Sequence, residues 1–175
     1  NIAFRAYFAI PGMATSRGFP SNALYGFTNM LLKLVREESP DHLAIVWDPP
    51  GKTFRDERYE EYKGTRPDMP DGLSVQMPFF ERLADALGIP FVCVNGYEAD
   101  DVMGTLARRH SDRLDVVLVS SDKDLMQLVG EHVAMLDTMK ERRIGVADVI
   151  ERFGCPPERV ADALAIIGDT SDNIP

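Results

Sequence analysis

Eight carboxylates in four separated stretches carry the chemistry this sequence can offer. Asp48 closes the apolar run Leu43-Ala44-Ile45-Val46-Trp47, and Glu98, Asp100 and Asp101 come shortly after the run Ile89–Val94. Asp122 and Asp124 follow Val116-Val117-Leu118-Val119, while Asp169 and Asp172 lie in a polar loop, Gly168–Asn173. Carboxylates gathered at the ends of parallel strands share one edge of the sheet, where open α/β folds bind ligands. So many converging negative charges require either several raised pKa values or cations among them. Oxygen donors without a paired His or Cys suit Mg²⁺ or Mn²⁺. Two or more such ions would clamp an in-line displacement at phosphorus, one activating a water and another stabilising the leaving oxygen. For a single acid the plain alternative is a cap, with Asp122 or Ser121 merely starting the helix that follows. Four groups delivered in the same way favour a shared site.

A basic-aromatic stretch follows Asp48. Lys52–Arg66 (KTFRDERYEEYKGTR) interleaves Arg55, Arg58, Tyr59, Tyr62, Lys63 and Arg66. Arg and Lys can hold phosphate oxygens and stabilise charge in a transition state. Tyr59 or Tyr62 can stack on an unpaired base. Tyr59, Tyr62 and Lys63 are spaced to share one helical face. A solvated amphipathic helix is the competing reading of such a charge run, and its position beside an acid cluster argues against it.

The elements that must position these groups alternate between strand and helix. Apolar runs at 43–47, 89–94, 116–119 and 133–136 read as strands, the one at 116–119 as a strand buried on both faces. Helical patterns occupy 23–37 (capped by Ser21 or Asn22), 75–87 (ended by Gly88), 99–109, 146–153 and 157–167, with a short helix after Asp124. This alternation predicts an α/β fold, a mainly parallel sheet covered on both faces as three α/β/α layers. The 175 residues fit one domain.

Nineteen basic against 28 acidic residues, a net charge of −9, exclude indiscriminate binding to nucleic acid over the whole surface. A polyanion would have to meet the protein through metal ions or a local basic patch. Cys93 and Cys155 lack metal-ligand spacing and read as reduced thiols of a cytoplasmic protein. No apolar run reaches the length of a membrane span. No GxxxxGK[ST] or GxGxxG occurs, which disfavours nucleotide-binding enzymes. His42, His110 and His132 are isolated and take no role.

Five motifs in order carry a resemblance: Arg5-Ala6-Tyr7-Phe8-Ala9; Thr53-Phe54-Arg55 with Tyr59, Tyr62-Lys63 and Arg66; Glu98-Ala99-Asp100-Asp101; Ser121-Asp122-Lys123-Asp124-Leu125; and Gly168-Asp169-Thr170-Ser171-Asp172-Asn173-Ile174-Pro175. Together they resemble the bacterial 5′ nucleases, the 5′→3′ exonuclease domain of DNA polymerase I and its stand-alone flap-endonuclease relatives. The resemblance covers essentially the whole chain. It implies a PIN-like (resolvase-like) domain and a two-metal enzyme of replication and repair. Its partner would be DNA: a 5′ flap, a nicked duplex or a duplex 5′ end. It implies that Asp48, Glu98, Asp100, Asp101, Asp122, Asp124, Asp169 and Asp172 hold the metals, directly or through water, with Asp100 and Asp122 the leading ligands. Asp169 fits equally well one water away.

The same resemblance implies that residues 52–80 form a helical arch for the 5′ single strand. Tyr62, Lys63 and Arg66 would lie near its base, Lys63 on the scissile phosphate. Arg5 would bind a nearby phosphate, and Arg55 and Tyr59 would join the DNA surface. Members of the family open with a strand ending in a further metal-binding Asp and continue into a helix–turn–helix-like region. Measured against them, this chain is expected to be a fragment lacking both, much less active alone, monomeric, and in some relatives fused to a polymerase. A PIN-type ribonuclease and a Mg²⁺-binding phospho-receiver remain alternatives. The arch-like insertion argues against the first, and the number of acids against the second.

Overall fold

The computed structural model describes residues 2–174. In chain order it contains α1 (Ile2–Ala9), α2 (Asn22–Glu38), β1 (Ile45–Trp47), α3 (Phe54–Arg58), α4 (Asp71–Ser74), α5 (Pro78–Leu87) and β2 (Phe91–Cys93). There follow α6 (Ala99–His110), β3 (Val116–Val119), a 3-10 helix (Lys123–Leu128), β4 (Val133–Asp137) and β5 (Arg142–Ile144). The last elements are α7 (Val146–Phe153), a 3-10 turn (Pro157–Arg159) and α8 (Val160–Ile167). Two compact units result: Asn1–Ile45 with Pro67–Val92, and Val46–Arg66 with Cys93–Pro175. β1 and β2 pair as a two-stranded sheet.

In the first unit, α1 packs on α2, and the Arg5–Ala9 motif forms the end of α1. Phe27 of α2 meets Phe80 of α5 edge to face, ring centroids 5.2 Å apart, and Leu31, Leu34, Leu73 and Ala84 complete a buried core around them. The start of α2 is not capped by Ser21 or Asn22 as expected. Gln76, buried, accepts the first-turn Leu24 N–H at 3.1 Å and donates to Asn22 Oδ1 at 2.9 Å and to the Gly72 carbonyl at 2.7 Å. Asn22 in turn donates to the Tyr7 carbonyl at 2.6 Å. The cap comes from a residue more than fifty positions away, which no local rule foresees. Pro78 opens α5 at a position that needs no N–H, and Gly88 closes it at φ +68°.

The second unit is built on a three-stranded sheet. β3 and β4 run parallel, Leu118 opposite Met135, and β5 returns antiparallel with Ile144 opposite Met135. The sheet is thus mixed. β5 was not foreseen because Arg142-Arg143 shows no apolar alternation; Ile144 alone of its residues turns inward. The hairpin before it is set by Asp137, whose Oδ1 accepts the N–H groups of Met139 at 3.0 Å and Lys140 at 3.4 Å.

β3 is not buried on both faces as expected: of its residues only Leu118 is buried. A continuous apolar run therefore overstated its enclosure. β4 shows one-sided alternation, Val133, Met135 and Asp137 buried. Ala107 of α6, Leu125 and Met126 of the 3-10 helix, Val149 of α7 and Val160 of α8 pack on this sheet. The stretch after β1 also departs from expectation. α3 stops at Arg58 because Tyr59 is extended (φ −142°), and Lys63 is left-handed at φ +55°, so Tyr59, Tyr62 and Lys63 do not share a helical face.

Candidate active site

All eight acids and the stretch 52–66 belong to the second unit, whereas Arg5 lies on α1 in the first. Asp48, leaving β1, accepts the Ala99 N–H at 2.8 Å and so fixes the start of α6 beside the end of that strand. The same helix start is closed by Asp101, which accepts the Glu98 N–H at 3.0 Å. Glu98, Asp100 and Asp101 thereby crowd the positive end of a helix, where negative charge is favoured.

Arg55 grips Asp101 as a fork, Nη1 and Nη2 donating at 2.6 and 2.8 Å. It also lies 3.8 Å from Glu98. The guanidinium holds the Asp101 carboxyl below the usual carboxylate range, and the Arg55 pKa rises in return, chiefly through that hydrogen bond. Lys63 Nζ donates to Glu98 Oε1 at 2.7 Å. Its positive φ is pinned by a backbone hydrogen bond to the Asp172 carbonyl at 3.1 Å. The Tyr62 hydroxyl lies 3.1 Å from both Glu98 and Asp172, with one proton to give to either. Burial first, then these two carboxylates, push its pKa up.

Asp100 feels the crowd most. Burial first, then Asp122, Asp48 and Glu98, push it up to about 6, with Lys63 pulling the other way. Three of the four acidic stretches therefore converge on Asp100. The Asp122/Asp124 loop leads on to the fourth. Carboxylate oxygens of Asp124, Asp169 and Asp172 lie within 4.8 Å of one another, and Asp124 is raised by burial and by Asp122 and Asp169 against the pull of Lys123. Asp122 also caps the 3-10 helix, accepting the Asp124 N–H at 3.1 Å, so the capping reading and the site reading are both true of it. Its own N–H donates to Ser120 Oγ at 3.1 Å.

The loop 168–174 is tied down from several sides. Arg66 Nη2 donates to Asp172 at 2.5 Å and its Nε to the Ser171 carbonyl at 3.2 Å. Tyr59, expected to stack on a base, has its hydroxyl 3.2 Å from both Glu61 and the Asn173 carbonyl. Lys123 Nζ donates to Asp169 at 2.5 Å and to Asp124 at 3.2 Å. Burial raises Asp169, but hydrogen bonds from Lys123 and Ser171 outweigh it and bring it down to about 2. Lys123 and Ser171 escaped the sequence reading. Their signal was position alone, each between two acids of one motif.

Residues 1–154 match the family described as the 5′-3′ exonuclease, N-terminal resolvase-like domain. The chain belongs to that family. As a member of the 5′-3′ exonuclease family it is 43% identical over 176 residues to the 5′-3′ exonuclease of Aquifex aeolicus, which covers all of the chain and 61% of that protein. It is 47% identical over 174 residues to DNA polymerase I of Pseudomonas aeruginosa, covering 98% of the chain and 19% of the polymerase. The domain thus spans less than two thirds of the first and about a fifth of the second.

Its α/β resolvase-like fold is that of the bacteriophage T5 5′-exonuclease with zinc bound, at a TM-score of 0.78 and 25% identity over 100% of this chain and 66% of that one. A T5 flap endonuclease in a pseudo-enzyme–product complex with DNA and metal ions superposes at a TM-score of 0.75 and 25% identity, over 99% and 65% of the two chains. No helix among the described residues is long and apolar enough to cross a membrane.

Proposed function

We propose that this domain is the catalytic part of a structure-specific 5′ nuclease, hydrolysing phosphodiesters at 5′ flaps and 5′ ends of DNA with the help of Mg²⁺ or Mn²⁺. The observation that carries the reading is the convergence of acids from four separated stretches in one unit. Burial first, then Asp122, Asp48 and Glu98, raise Asp100 to about 6, and Asp124, Asp169 and Asp172 gather within 4.8 Å. The donor set fits divalent cations: it is all oxygen, and at Asp100 its buried charge is under-compensated by the protein's own cations. Asp48, Glu98, Asp100 and Asp122 would hold one ion, Asp124, Asp169 and Asp172 another. Asp101, with both oxygens on Arg55, acts by fixing that guanidinium and the start of α6. Bound there, the ions would supply an activated water and charge to stabilise the leaving oxygen.

The protein's own groups do the rest. Lys63 and Arg66, paired with Glu98 and Asp172, would offer charge-assisted donors to a phosphate that meets these acids. Tyr62 orients Glu98 and Asp172 by sharing its proton between them. Residues 52–80 would guide the 5′ single strand, with Arg55 and Tyr59 along it and Arg5 binding a phosphate of the DNA near the site. DNA replication and repair in a bacterial cytoplasm is the setting this chemistry serves, with a polymerase joined to the domain in relatives such as that of Pseudomonas aeruginosa.

The test is a labelled 5′-flap DNA with and without Mg²⁺, beside a single-stranded RNA of equal length. Metal-dependent cutting near the flap junction with the RNA spared supports the reading; RNA cleavage alone would transfer it to the ribonucleases. Asp122→Asn, which keeps the acceptor for the Asp124 N–H but removes the charge, should abolish cutting while the fold survives. Wild-type rates in that variant would remove Asp122 from the ligand set.

A further inference from the structure

Among the cations around the acids, Lys123 differs in kind from the rest. Arg55 reaches Asp101 and Glu98 with a planar fork fixed by two hydrogen bonds. Lys63 reaches Glu98, and Arg66 reaches Asp172. Lys123 alone of these bridges two members of the Asp124–Asp169–Asp172 triad, at 3.2 and 2.5 Å. It comes from within the motif that supplies Asp122 and Asp124. It thereby joins the start of the 3-10 helix to the loop 168–174.

We propose that Lys123 is a built-in, displaceable counter-cation of this triad, a positioning residue that holds Asp124 and Asp169 together and yields its place when a divalent ion enters. The inference rests on the metal-dependent nuclease reading above. The physical reasons are three. Oxygens of three carboxylates within 4.8 Å of one another repel unless a cation lies among them. An ammonium and a divalent ion on the same two carboxylates repel in turn, so one must give way. An ammonium on a four-carbon stem is a point charge that can leave without breaking a planar fork, and the Lys123 side chain is 30% exposed, with water within reach. Lys123 therefore keeps the ligands converged while setting a threshold concentration for the ion.

The consequence has a sign that a merely structural lysine would not produce. Lys123→Met, similar in length but uncharged, should lower the melting temperature in chelator, because the triad loses its cation. The same substitution should tighten Mn²⁺ at the affected site by about tenfold or more, the usual scale of one close charge pair. Stabilisation by Mn²⁺ should then be larger in the variant than in the wild type. Lys123→Arg retains the charge and should bind Mn²⁺ no more tightly than the wild type does.

The experiment is calorimetric titration of the full chain with Mn²⁺, melting curves with and without the ion, and 5′-flap cleavage scored in parallel. Asp169→Asn identifies the class of site that changes. Tighter binding with a lower melting temperature in chelator supports the proposal. Unchanged or weaker binding, or equal destabilisation with and without Mn²⁺, overturns it. If Lys123→Met folds only when Mn²⁺ is present, that also supports it; if it fails in both conditions, Lys123→Gln is read by the same criteria. Scored on the full-length protein, binding of Mn²⁺ without cutting of DNA defeats the nuclease reading and leaves the Lys123 comparison standing, whereas no binding of Mn²⁺ defeats both.

Discussion

Seven of the eight acids at this site accept from a neighbour that also constrains what they can do. Lys63 is kept at φ +55° by the Asp172 carbonyl and by Glu98, a conformation a lysine adopts only when its surroundings hold it there. Lys63→Ala should slow flap cleavage by about a hundredfold or more while changing DNA affinity far less, since a donor aimed at developing charge acts mainly in the transition state. Single-turnover rates and binding isotherms on the same flap check this, and equal losses in both would reduce Lys63 to a binding contact. Asp100 carries the opposite burden, being buried among like charges. Asp100→Asn should raise stability in chelator at pH 7 by roughly 1–3 kcal/mol and abolish the stabilisation that Mn²⁺ gives the wild type. Urea melts with and without the ion decide it. The spacing of these residues was legible in the chain; their partners were not, because hydrogen bonds such as Tyr62 to Asp172 join positions more than a hundred residues apart.

At the level of single elements, caps decide where helices begin, and they arise both locally and at a distance. α7 starts at Val146, and its third residue, Asp148, accepts the Gly145 N–H at 2.8 Å and pairs with Arg142 of β5. The Gly145 hydrogen bond first, then Arg142, hold the Asp148 carboxyl below its ordinary 3.8. A depressed carboxyl contributes stability above its unfolded pKa and loses it as pH falls through the folded value. Asp148→Ala should therefore cost about 1 kcal/mol at pH 7, and the difference from wild type should vanish below the folded pKa. Denaturant melts at a series of pH values test the slope. This cap follows a pattern a sequence can display. The cap on α2 does not, since Gln76 reaches Leu24 only after α4 and α5 have folded against α2.

For the whole molecule, the division into two units sorts the residues by role. The first unit holds the aromatic core of Phe27 and Phe80; the second holds every acid of the site. A ligand that binds only the folded form stabilises by about 2.7 kcal/mol at a hundred times its dissociation constant. Mg²⁺ should accordingly slow amide hydrogen exchange at 98–101, 120–124 and 168–174 and leave the centre of α2 unchanged. Exchange followed by mass spectrometry checks it; uniform protection, or none at the acidic loops, would contradict the assignment of ligands.

Much was readable in one dimension because it depends on near neighbours. Apolar runs ending in acids marked β1 and β3, periodicity marked α2, α5, α6 and α7, and five ordered motifs pointed to the nuclease family before any coordinate. Local order could not reveal how far β3 is enclosed, that Arg142–Ile144 pairs as β5, or that α3 breaks at Tyr59 and leaves Lys63 left-handed. Nor could it pair Lys123 with Asp169, 46 positions away. Burial, strand pairing and the choice of counter-ion are settled by which distant surfaces meet. That is a property of packing, to which spacing along the chain gives no access.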